Sequence, residues 1–399
     1  MKKILFVINT LGHAGAETAL LELLRHLNPE EYEISLYVLM GQGEMVSELP
    51  DYVKLLNKHY DAVSVLSREG KGRLRKNVLR ALFRRGTVVR LLPYMIKNFC
   101  AMLKKGRVLP DKLLWRALSD GAERFDTHYH LAVAYLEGGS TYYVANHVNA
   151  DKKAAFVHVD YEKAGYTRGL DRDCYLGFDK VFTVSDEVRK SFLRAYPECE
   201  NRTEVFHNLL NPERIKSRAK LSDGFNDGYE GIRILSVGRL TAQKAFEVSI
   251  EAMKLLKDRG ERVRWYVLGD GDQRKGLEEK VKQLGLEEDF LMPGAVDNPY
   301  PYMAQADIYV HASRFEGKSI AIQEAQILGK PILVSNCSGN REQVIDRVDG
   351  LMCELTPEAV CQGITELLHD EAMRLRLGAA AQKRNTEDEA ELEKLFSMI

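Results

Sequence analysis

The sequence predicts an α/β protein of two doubly wound, parallel-sheet domains that face a cleft. At 399 residues, the chain is long enough for two domains. Short apolar runs alternate with helix-period stretches in two successive arrays, which is the pattern of repeated βαβ units. A polar, glycine-rich segment at 212–231 separates the arrays. Doubly wound sheets bind ligands beyond the carboxyl ends of their strands, so functional residues are expected in the loops that follow strands.

The expected domain boundaries follow the composition of the chain. The amino-terminal domain covers 1–211 and contains a basic helical insertion at about 68–118. Residues 212–231 form the linker, and 232–375 form the second domain. Residues 376–399 are expected to form an acidic helix that packs back on the amino-terminal domain.

Composition and charge exclude several classes of protein. A hydrophobic content of 45% with 29% charged residues is typical of a soluble globular protein, and a net charge of −1 gives no general attraction to nucleic acid. The six cysteines lack metal-ligand spacing, which favours reduced thiols in a cytosol and no structural metal. The apolar run Ile4–Ile8 is too short for a signal peptide, and no stretch is long enough to span a bilayer.

The chain opens with a βαβ unit. Residues 3–9 form a continuous apolar run, typical of a buried parallel strand, and 32–39 form the next strand. The loop between the first strand and its helix holds small residues, including Gly15, where a phosphate or sugar can approach the backbone. The loop is not GxGxxG and no acid ends the second strand, so a nicotinamide dinucleotide site is disfavoured. Tight chain reversal would also explain these glycines.

Residues 68–107 form a strongly basic region, with thirteen Lys or Arg against one acid, Glu69. Apolar residues recur at helical spacing, which predicts amphipathic helices with a cationic face. The region either packs on its own domain with its charges solvated or docks on anionic lipid. Nucleic acid is disfavoured because the interleaved residues are mostly aliphatic. We favour the membrane surface.

The amino-terminal array continues to residue 208. A strand at 153–157 ends before His158, which is expected to point toward the ligand edge of the sheet, although a lone histidine there is more often structural. A strand at 180–185 leads into a helix that Ser185 is expected to cap.

The second array starts with a strand at 233–237 and a loop that contains Gly238, Arg239 and Lys244. Two cations five residues apart between a strand and a helix can close on one pyrophosphate, and the helix dipole adds to the same field. For a single pair of this kind, solvation at the surface is the commoner case.

The segment Glu316–Glu324 lies between the strands predicted at 307–312 and 332–334. This is one βαβ unit, with Glu316 in the loop after the first strand and Glu324 about two turns into the following helix. Both acids are expected to face one crevice. Without further context, a loop acid and an ordinary helix acid are the simpler interpretation.

Several motifs of the second half occur together in one order. They are Gly238-Arg239-Leu240 with Gln243-Lys244, Leu268-Gly269-Asp270-Gly271, Asn298-Pro299-Tyr300, Ser313-Arg314-Phe315-Glu316-Gly317, Glu324-Ala325, Gly329-Lys330-Pro331 and Asp349-Gly350-Leu351. The first half adds Gly15-Ala16-Glu17, Glu137-Gly138, His158-Val159-Asp160, Val184-Ser185 and Asn208. Apart from about 40–120, the chain resembles the retaining glycosyltransferases of family 4, with their EX7E motif. The resemblance implies the GT-B fold of two facing Rossmann-like domains with an interdomain cleft.

The resemblance also implies roles for individual residues. Glu316 would hold hydroxyls of the donor sugar, and Glu324 would bind the ribose of the nucleotide. Arg239 and Lys244 would stabilise charge on the departing diphosphate in place of a metal ion. His158 would line the sugar site.

Backbone groups complete the expected donor site. Gly15 and Gly238 would let the backbone approach the donor, and the amides of Ser319 and Ile320 would cap the diphosphate. Lys318 departs from the family pattern and is expected to add charge near the donor, and Ala14 and Ala245 stand where glycine is usual.

The expected function is transfer of a hexose, with retention, from a nucleotide sugar to a growing polysaccharide or lipid-linked glycan. The donor is expected to be UDP-linked, with no further cofactor and no metal. The alternatives are a GT-B epimerase or phosphorylase and a noncatalytic sugar-binding subunit of a membrane assembly. We expect a cytoplasmic protein, peripheral at the inner face of the cell membrane, with no nucleic-acid partner.

Overall fold

The structure is a computed structural model that describes residues 1–65, 67–104, 106, 108–221, 224–384 and 389–399. The chain divides into two compact units. Unit 1 contains Met1–Leu209 and Glu387–Ile399, and unit 2 contains Leu210–Thr386. Parts of the predicted basic region, linker and tail lie outside the described residues, namely Lys105, Arg107, Ser222, Asp223 and 385–388.

Unit 1 is built on a parallel sheet that has seven strands within the described residues, in the order β3-β2-β1-β4-β5-β6-β7. The strands are β1 (Lys2–Ile8), β2 (Tyr32–Val38), β3 (Lys54–Leu55), β4 (His128–Ala134), β5 (Asn149–Val157), β6 (Lys180–Thr183) and β7 (Thr203–Val205). The helices are α1 (Gly15–Arg25), α2 (Arg68–Phe83), α3 (Thr87–Lys104), α4 (Pro110–Gly121), α5 (Gly139–His147), α6 (Arg168–Asp171) and α7 (Asp186–Ala195).

The central strands of unit 1 are buried on both faces, as parallel strands covered by helices must be. Residues 4–8 of β1 have no exposed surface, which confirms the buried strand predicted from the apolar run. The hydroxyl of Ser185 accepts a hydrogen bond from the Val188 amide at 3.2 Å, so the predicted cap of α7 is also confirmed.

The basic region forms the two long helices α2 and α3, which confirms the helices predicted there. Leu74 and Val78 of α2 pack against the core of unit 1, and α3 packs through Tyr94 and Met102 on Leu113 and Leu170. The region therefore has a packed inner side in both helices.

Unit 2 is built on a second parallel sheet, with six strands among the described residues in the order β10-β9-β8-β11-β12-β13. The strands are β8 (Ile232–Val237), β9 (Val263–Leu268), β10 (Phe290–Gly294), β11 (Ile308–His311), β12 (Ile332–Ser335) and β13 (Leu351–Cys353). The helices are α8 (Pro212–Ala219), α9 (Phe246–Asp258), α10 (Arg274–Gln283), α11 (Tyr300–Gln305), α12 (Ile320–Ile327), α13 (Asn340–Gln343), α14 (Pro357–His369) and α15 (Glu371–Gln382).

Strand order places the ligand edge of unit 2 between β8 and β11. The chain winds outward from β8 in one direction and from β11 in the other, which makes this pair the topological switch point of the sheet. The strands pair through Ile234 with Ile308 and Leu235 with Tyr309, and the Ser236 hydroxyl donates to the Val310 carbonyl at 2.6 Å. The loops after β8 and β11 therefore begin side by side.

Two segments differ in structure from the sequence-based expectation. The polar stretch expected as linker contains α8, because Asn211 caps the helix and Pro212 occupies its first turn. The boundary expected at 375/376 falls inside α15, where Leu377 and Ala381 are buried. The tail then forms α16 (Glu389–Phe396) in unit 1, where the His207 amide donates to Glu391 Oε2 at 2.9 Å.

Candidate active site

The loop after β8 is held close to the loop after β9. The Gly238 amide donates to the Leu268 carbonyl at 3.0 Å. Gly269 has a φ of 152°, and a Cβ atom there would lie 2.0 Å from the Gly238 carbonyl oxygen. Gly238 itself lies against the Lys244 side chain, with 3.3 Å from an added Cβ to Cε. Glycine at 238 and 269 therefore lets Lys244 fold back over the end of the sheet.

Lys244 and Glu316 form an ion pair at this edge. Lys244 Nζ lies 2.8 Å from Glu316 Oε1, and His311 Nε2 lies 3.1 Å from the same oxygen. Gln243 Nε2 donates to Glu316 Oε2 at 3.4 Å and to the Phe315 carbonyl at 2.8 Å. The loops that follow β8 and β11 thus contribute a lysine and a glutamate to one buried cluster.

The cluster keeps Glu316 ionised. Burial favours the neutral acid, but the positive charge of Lys244 and the hydrogen bond from His311 hold the pKa of Glu316 well below its usual range. Burial and the neighbouring Lys244 lower the pKa of His311, so this imidazole is neutral at pH 7. With its proton on Nε2, neutral His311 donates to Glu316 Oε1, and Nε2 then lies 3.2 Å from Lys244 Nζ without accepting from it.

His311 was not among the residues predicted from the sequence. It is the last residue of β11 and only 4% exposed. A histidine at the carboxyl end of a parallel strand was the signal that singled out His158, and the same signal is present at His311. The position of His311 at the end of a strand does not predict that Lys244, 67 positions away, lies beside it.

Arg239 lies outside the cluster. It follows Gly238 in the loop after β8, its side chain is exposed, and within the described part of the chain it forms no ion pair. The two predicted cations therefore differ in their surroundings. Lys244 is bound to Glu316, whereas Arg239 is exposed to an incoming anion.

Glu324 contacts a tyrosine of α11. Tyr300, the first residue of α11, donates its hydroxyl proton to Glu324 Oε1 at 2.9 Å, and both side chains are buried. Helix α12 begins only at Ile320, so Glu324 lies little more than one turn into it, not the two turns predicted. The three residues between Glu316 and α12 are loop because Gly317 and Ser319 are fixed to a neighbouring turn.

The turn, which contains Gly339 and leads to Gln343, contacts the residues that were predicted to cap the diphosphate. The Ser319 amide donates to Gln343 Oε1 at 2.7 Å, and Gln343 Nε2 donates to the Ser319 carbonyl at 2.8 Å. Gly339 has a φ of 81°, and a Cβ there would lie 2.4 Å from the Gly317 carbonyl oxygen. The Ser319 amide is therefore already bonded, and Ile320 is the first residue of α12. Lys318, which precedes Ser319, is half-buried.

Unit 1 places Gly15 and His158 at the carboxyl ends of its own strands. Gly15 is exposed at the start of α1, whose cap residue Ala14 provides no side-chain hydrogen bond. The His158 amide donates to Glu137 Oε2 at 3.0 Å, and its ring lies 5.0 Å from the Tyr135 ring. Burial lowers the pKa of His158 to about 4, so the ring is neutral at pH 7.

The arrangement in unit 2 is suited to a ligand that carries both anions and hydroxyls. Arg239 and Lys244 are cations at a switch point, and Glu316 and Glu324 are buried carboxylates that accept hydrogen bonds. A carboxylate held ionised in a buried site binds hydroxyl groups strongly, because charge-assisted hydrogen bonds are shorter and stronger than neutral ones.

Comparisons with known proteins relate the chain to glycosyltransferases. Residues 222–384, which contain the whole unit 2 cluster, match the family model described as glycosyl transferases group 1. A Campylobacter jejuni N-acetylgalactosamine-N,N'-diacetylbacillosaminyl-diphospho-undecaprenol 4-alpha-N-acetylgalactosaminyltransferase is 27% identical over 63% of this chain and 64% of its own length. The chain thus spans less than two thirds of the length of the first relatives it matches.

Two further comparisons cover nearly the whole chain. A C. jejuni GalNAc-alpha-(1->4)-GalNAc-alpha-(1->3)-diNAcBac-PP-undecaprenol alpha-1,4-N-acetyl-D-galactosaminyltransferase is 27% identical over 96% of this chain and 94% of its own. The crystal structure of Anabaena Alr3699/HepE in complex with UDP-glucose superimposes with a TM-score of 0.69 at 16% identity and covers 100% of both chains. The two Rossmann-like sheets are therefore those of the GT-B fold, and the fold and the relatives together support a glycosyltransferase.

Proposed function

We propose that the chain is a retaining glycosyltransferase of family 4 that moves a hexose from a UDP-sugar to a growing polysaccharide or lipid-linked glycan. The observation that carries the proposal is the Lys244–Glu316 pair at the switch point of unit 2. A cation and a buried carboxylate at that position provide one group for a diphosphate and one for sugar hydroxyls. Glu316 and Glu324 also have the spacing of the EX7E motif.

The cations are proposed to act on the leaving group. When the bond between the sugar C1 and the diphosphate oxygen breaks, negative charge grows on that oxygen. Exposed Arg239 binds the diphosphate directly, and Lys244 shifts part of its interaction from Glu316 to the developing charge. Groups that stabilise charge as it develops contribute strongly to catalysis, so no metal ion is required in this proposal.

The carboxylates are proposed to hold the donor on either side of the diphosphate. Glu316 accepts hydrogen bonds from sugar hydroxyls, and Glu324 accepts from the ribose hydroxyls while Tyr300 fixes its rotamer. The Ile320 amide faces the diphosphate at the start of α12, and Lys318 adds positive charge beside it. The Ser319 amide joins this cap only if Gln343 moves away from it.

Retention is proposed to follow a front-face path. The acceptor oxygen bonds to C1 on the face from which the diphosphate leaves, and its proton passes to the departing phosphate oxygen. In unit 1, neutral His158 is proposed to donate a hydrogen bond to the sugar, and Gly15 to let the backbone approach the donor.

The donor and acceptor classes are supported by relatives. The HepE structure is a complex with UDP-glucose, and both C. jejuni relatives are named for undecaprenol-diphosphate-linked glycans. A UDP-hexose and a lipid-linked or polymeric glycan are therefore the substrate classes to test first.

Donor binding tests the proposal without knowledge of the acceptor. Thermal unfolding of the full chain is followed with UDP, GDP and a panel of their sugars, where a ligand at about 100 times its Kd stabilises by about 2.7 kcal/mol. We expect UDP and at least one UDP-hexose to raise the Tm, and Arg239→Ala to weaken that shift. Arg262→Ala, which removes another exposed arginine of unit 2, should leave it unchanged. The proposal fails if no nucleotide raises the Tm, or if Arg239→Ala behaves like wild type.

A further inference from the structure

Helix α3 carries two apolar faces. The inner face contains Leu91, Tyr94 and Met102, which are buried against unit 1. The outer row is exposed and consists of Val89 (77%), Leu92 (50%), Ile96 (56%), Phe99 (43%) and Leu103 (54%). At about 100° per residue, the two rows lie roughly 140° apart around the helix. Packing on unit 1 therefore accounts for only one of the two faces.

A row of cations lies on a third side of the helix, about 120° around it from the outer apolar face. Arg90, Lys97 and Lys104 are exposed, follow one another at a spacing of seven residues, and form no ion pair with a described residue. The helix contains no Asp or Glu. An exposed apolar row on a helix whose own charges are all positive is the pattern of a helix that lies in the interface of an anionic bilayer.

The adjacent helix α2 repeats this pattern. Its inner residues Leu74 and Val78 pack on unit 1, whereas Leu79 and Phe83 are 54% and 74% exposed. Arg75 and Lys76 are exposed beside that outer pair. Arg73 belongs to a different environment, because it is bound to Glu69 at 2.6 Å and to Asp61. Arg73 lies in the basic region predicted to dock on lipid, but its charge is already paired within unit 1.

We propose that the outer face of α3, defined as Val89, Leu92, Ile96, Phe99 and Leu103, inserts into the interfacial region of an anionic lipid bilayer while Arg90, Lys97 and Lys104 contact the headgroups. The helix lies in the plane of the membrane and does not cross it: in the part of the chain that the structure describes, no helix is long and apolar enough to span a bilayer. The apolar row, from residue 89 to 103, extends about 21 Å along the helix at 1.5 Å per residue.

Charge decides between lipid and a second copy of the chain. The outer row also has the 3,4 spacing of a coiled-coil seam. Two α3 helices packed through it would cover the apolar rows but leave all six cations without an acid on either helix to pair with them. Anionic headgroups provide the missing negative charge. The bilayer is therefore the occupant that satisfies both the apolar row and the cations of the helix.

The test is co-sedimentation of the full chain with vesicles of phosphatidylglycerol and phosphatidylcholine, compared with phosphatidylcholine alone. We expect binding to the anionic vesicles that weakens with salt. Leu92→Ser with Ile96→Ser should lower the partition coefficient on the order of 10-fold or more, because two apolar side chains no longer enter the interface. Leu375→Ser, which removes a 69% exposed leucine from unit 2, is the matched control and should not change binding.

Insertion is measured separately with Ile96→Trp, whose emission should shift to the blue in anionic vesicles and be quenched by brominated acyl chains. Sedimentation velocity without lipid reports self-association. The proposal is overturned if Leu92→Ser with Ile96→Ser binds vesicles like wild type, if the Ile96→Trp emission does not shift, or if that double variant converts a dimer to a monomer while vesicles bind neither form. All of these readouts are independent of any transferase activity, so they remain interpretable if the proposed function fails.

Discussion

Lys244 Nζ lies 2.8 Å from Glu316 Oε1, and the two residues are 72 positions apart in the sequence. The contact exists because β8 and β11 are neighbours at the switch point of unit 2, which brings the loops that follow them together. Lys244 comes from the segment after β8, and Glu316 comes from the loop after β11. The pair therefore depends on the order of the strands in the sheet. Its loss is expected to affect function more than the loss of an ion pair at the surface of the same unit.

Replacing Lys244 should impair catalysis. Lys244→Ala removes a cation proposed to stabilise the leaving diphosphate and is expected to lower kcat on the order of 10²-fold. Steady-state release of UDP from a UDP-hexose measures this. Lys254→Ala removes a lysine of α9 whose ion pair with Asp258 lies at the surface, and it should leave kcat unchanged. Equal kcat values for the two variants would contradict the assigned role.

The acid limb of stability should depend on Glu316. Burial raises the pKa of Glu316, but Lys244 and His311 lower it by more than burial raises it. The pKa of Glu316 in the folded state therefore lies below the ordinary value of 4.5. Between these values the unfolded state binds more protons, so this contribution to stability is present above pH 4.5 and is lost as pH falls through the folded pKa. Glu316→Gln should flatten the stability curve in urea below about pH 4.5. An unchanged acid slope would show that the carboxylate is not held ionised.

Asp171 should give a pH dependence of the opposite sign. Burial raises its pKa to about 6, although hydrogen bonds from the Tyr161 and Tyr142 hydroxyls oppose the shift. Between 3.8 and about 6 the folded state binds more protons, so stability falls as pH rises through that window. Asp171→Asn should remove this decline, of about 3 kcal/mol at most. Asp171→Ala should instead destabilise the chain at every pH, because the tyrosine hydroxyls lose their acceptor.

Tyr300 is predicted to act on donor binding. Tyr300→Phe removes the hydroxyl that donates to Glu324 at 2.9 Å. A neutral donor to a carboxylate contributes about 1.5 to 3 kcal/mol, so the Kd for UDP should rise on the order of 10-fold while kcat changes little. Calorimetric titration with UDP measures the effect. Tyr302→Phe, two residues further along α11, is the control. A kcat loss with unchanged Kd would place Glu324 at the reacting sugar instead of the ribose.

Local patterns predicted much of the fold. The continuous apolar run at Ile4–Ile8, the hydroxyl of Ser185 before α7 and the βαβ unit around Glu316 all follow from neighbouring residues, and the structure confirms them. The helix α8 was missed because its polar composition resembles a linker, although the Asn211-Pro212 start was present in the sequence.

Long-range partners could not be predicted in the same way. Lys244 reaches His311 and Glu316 from a separate βα unit, through the pairing of β8 with β11, and Tyr300 reaches Glu324 across another. The two faces of α3 are indistinguishable in the sequence, since both rows have helical spacing and only packing buries one of them. At Ala245 the sequence shows only that alanine stands where glycine is usual in the family. The structure supplies the reason, because the φ of this residue is 48°, in the left-handed region that favours glycine.

The most direct test of the account is turnover of UDP-hexoses by the full chain with an undecaprenyl-diphosphate-linked or polymeric glycan acceptor, with the anomeric configuration of the product read by nuclear magnetic resonance. We expect UDP release from at least one donor, a product that keeps the configuration of the donor sugar, and loss of at least 10²-fold in rate for Glu316→Gln. No release from any donor, an inverted product, or a Glu316→Gln variant as active as wild type would contradict the account.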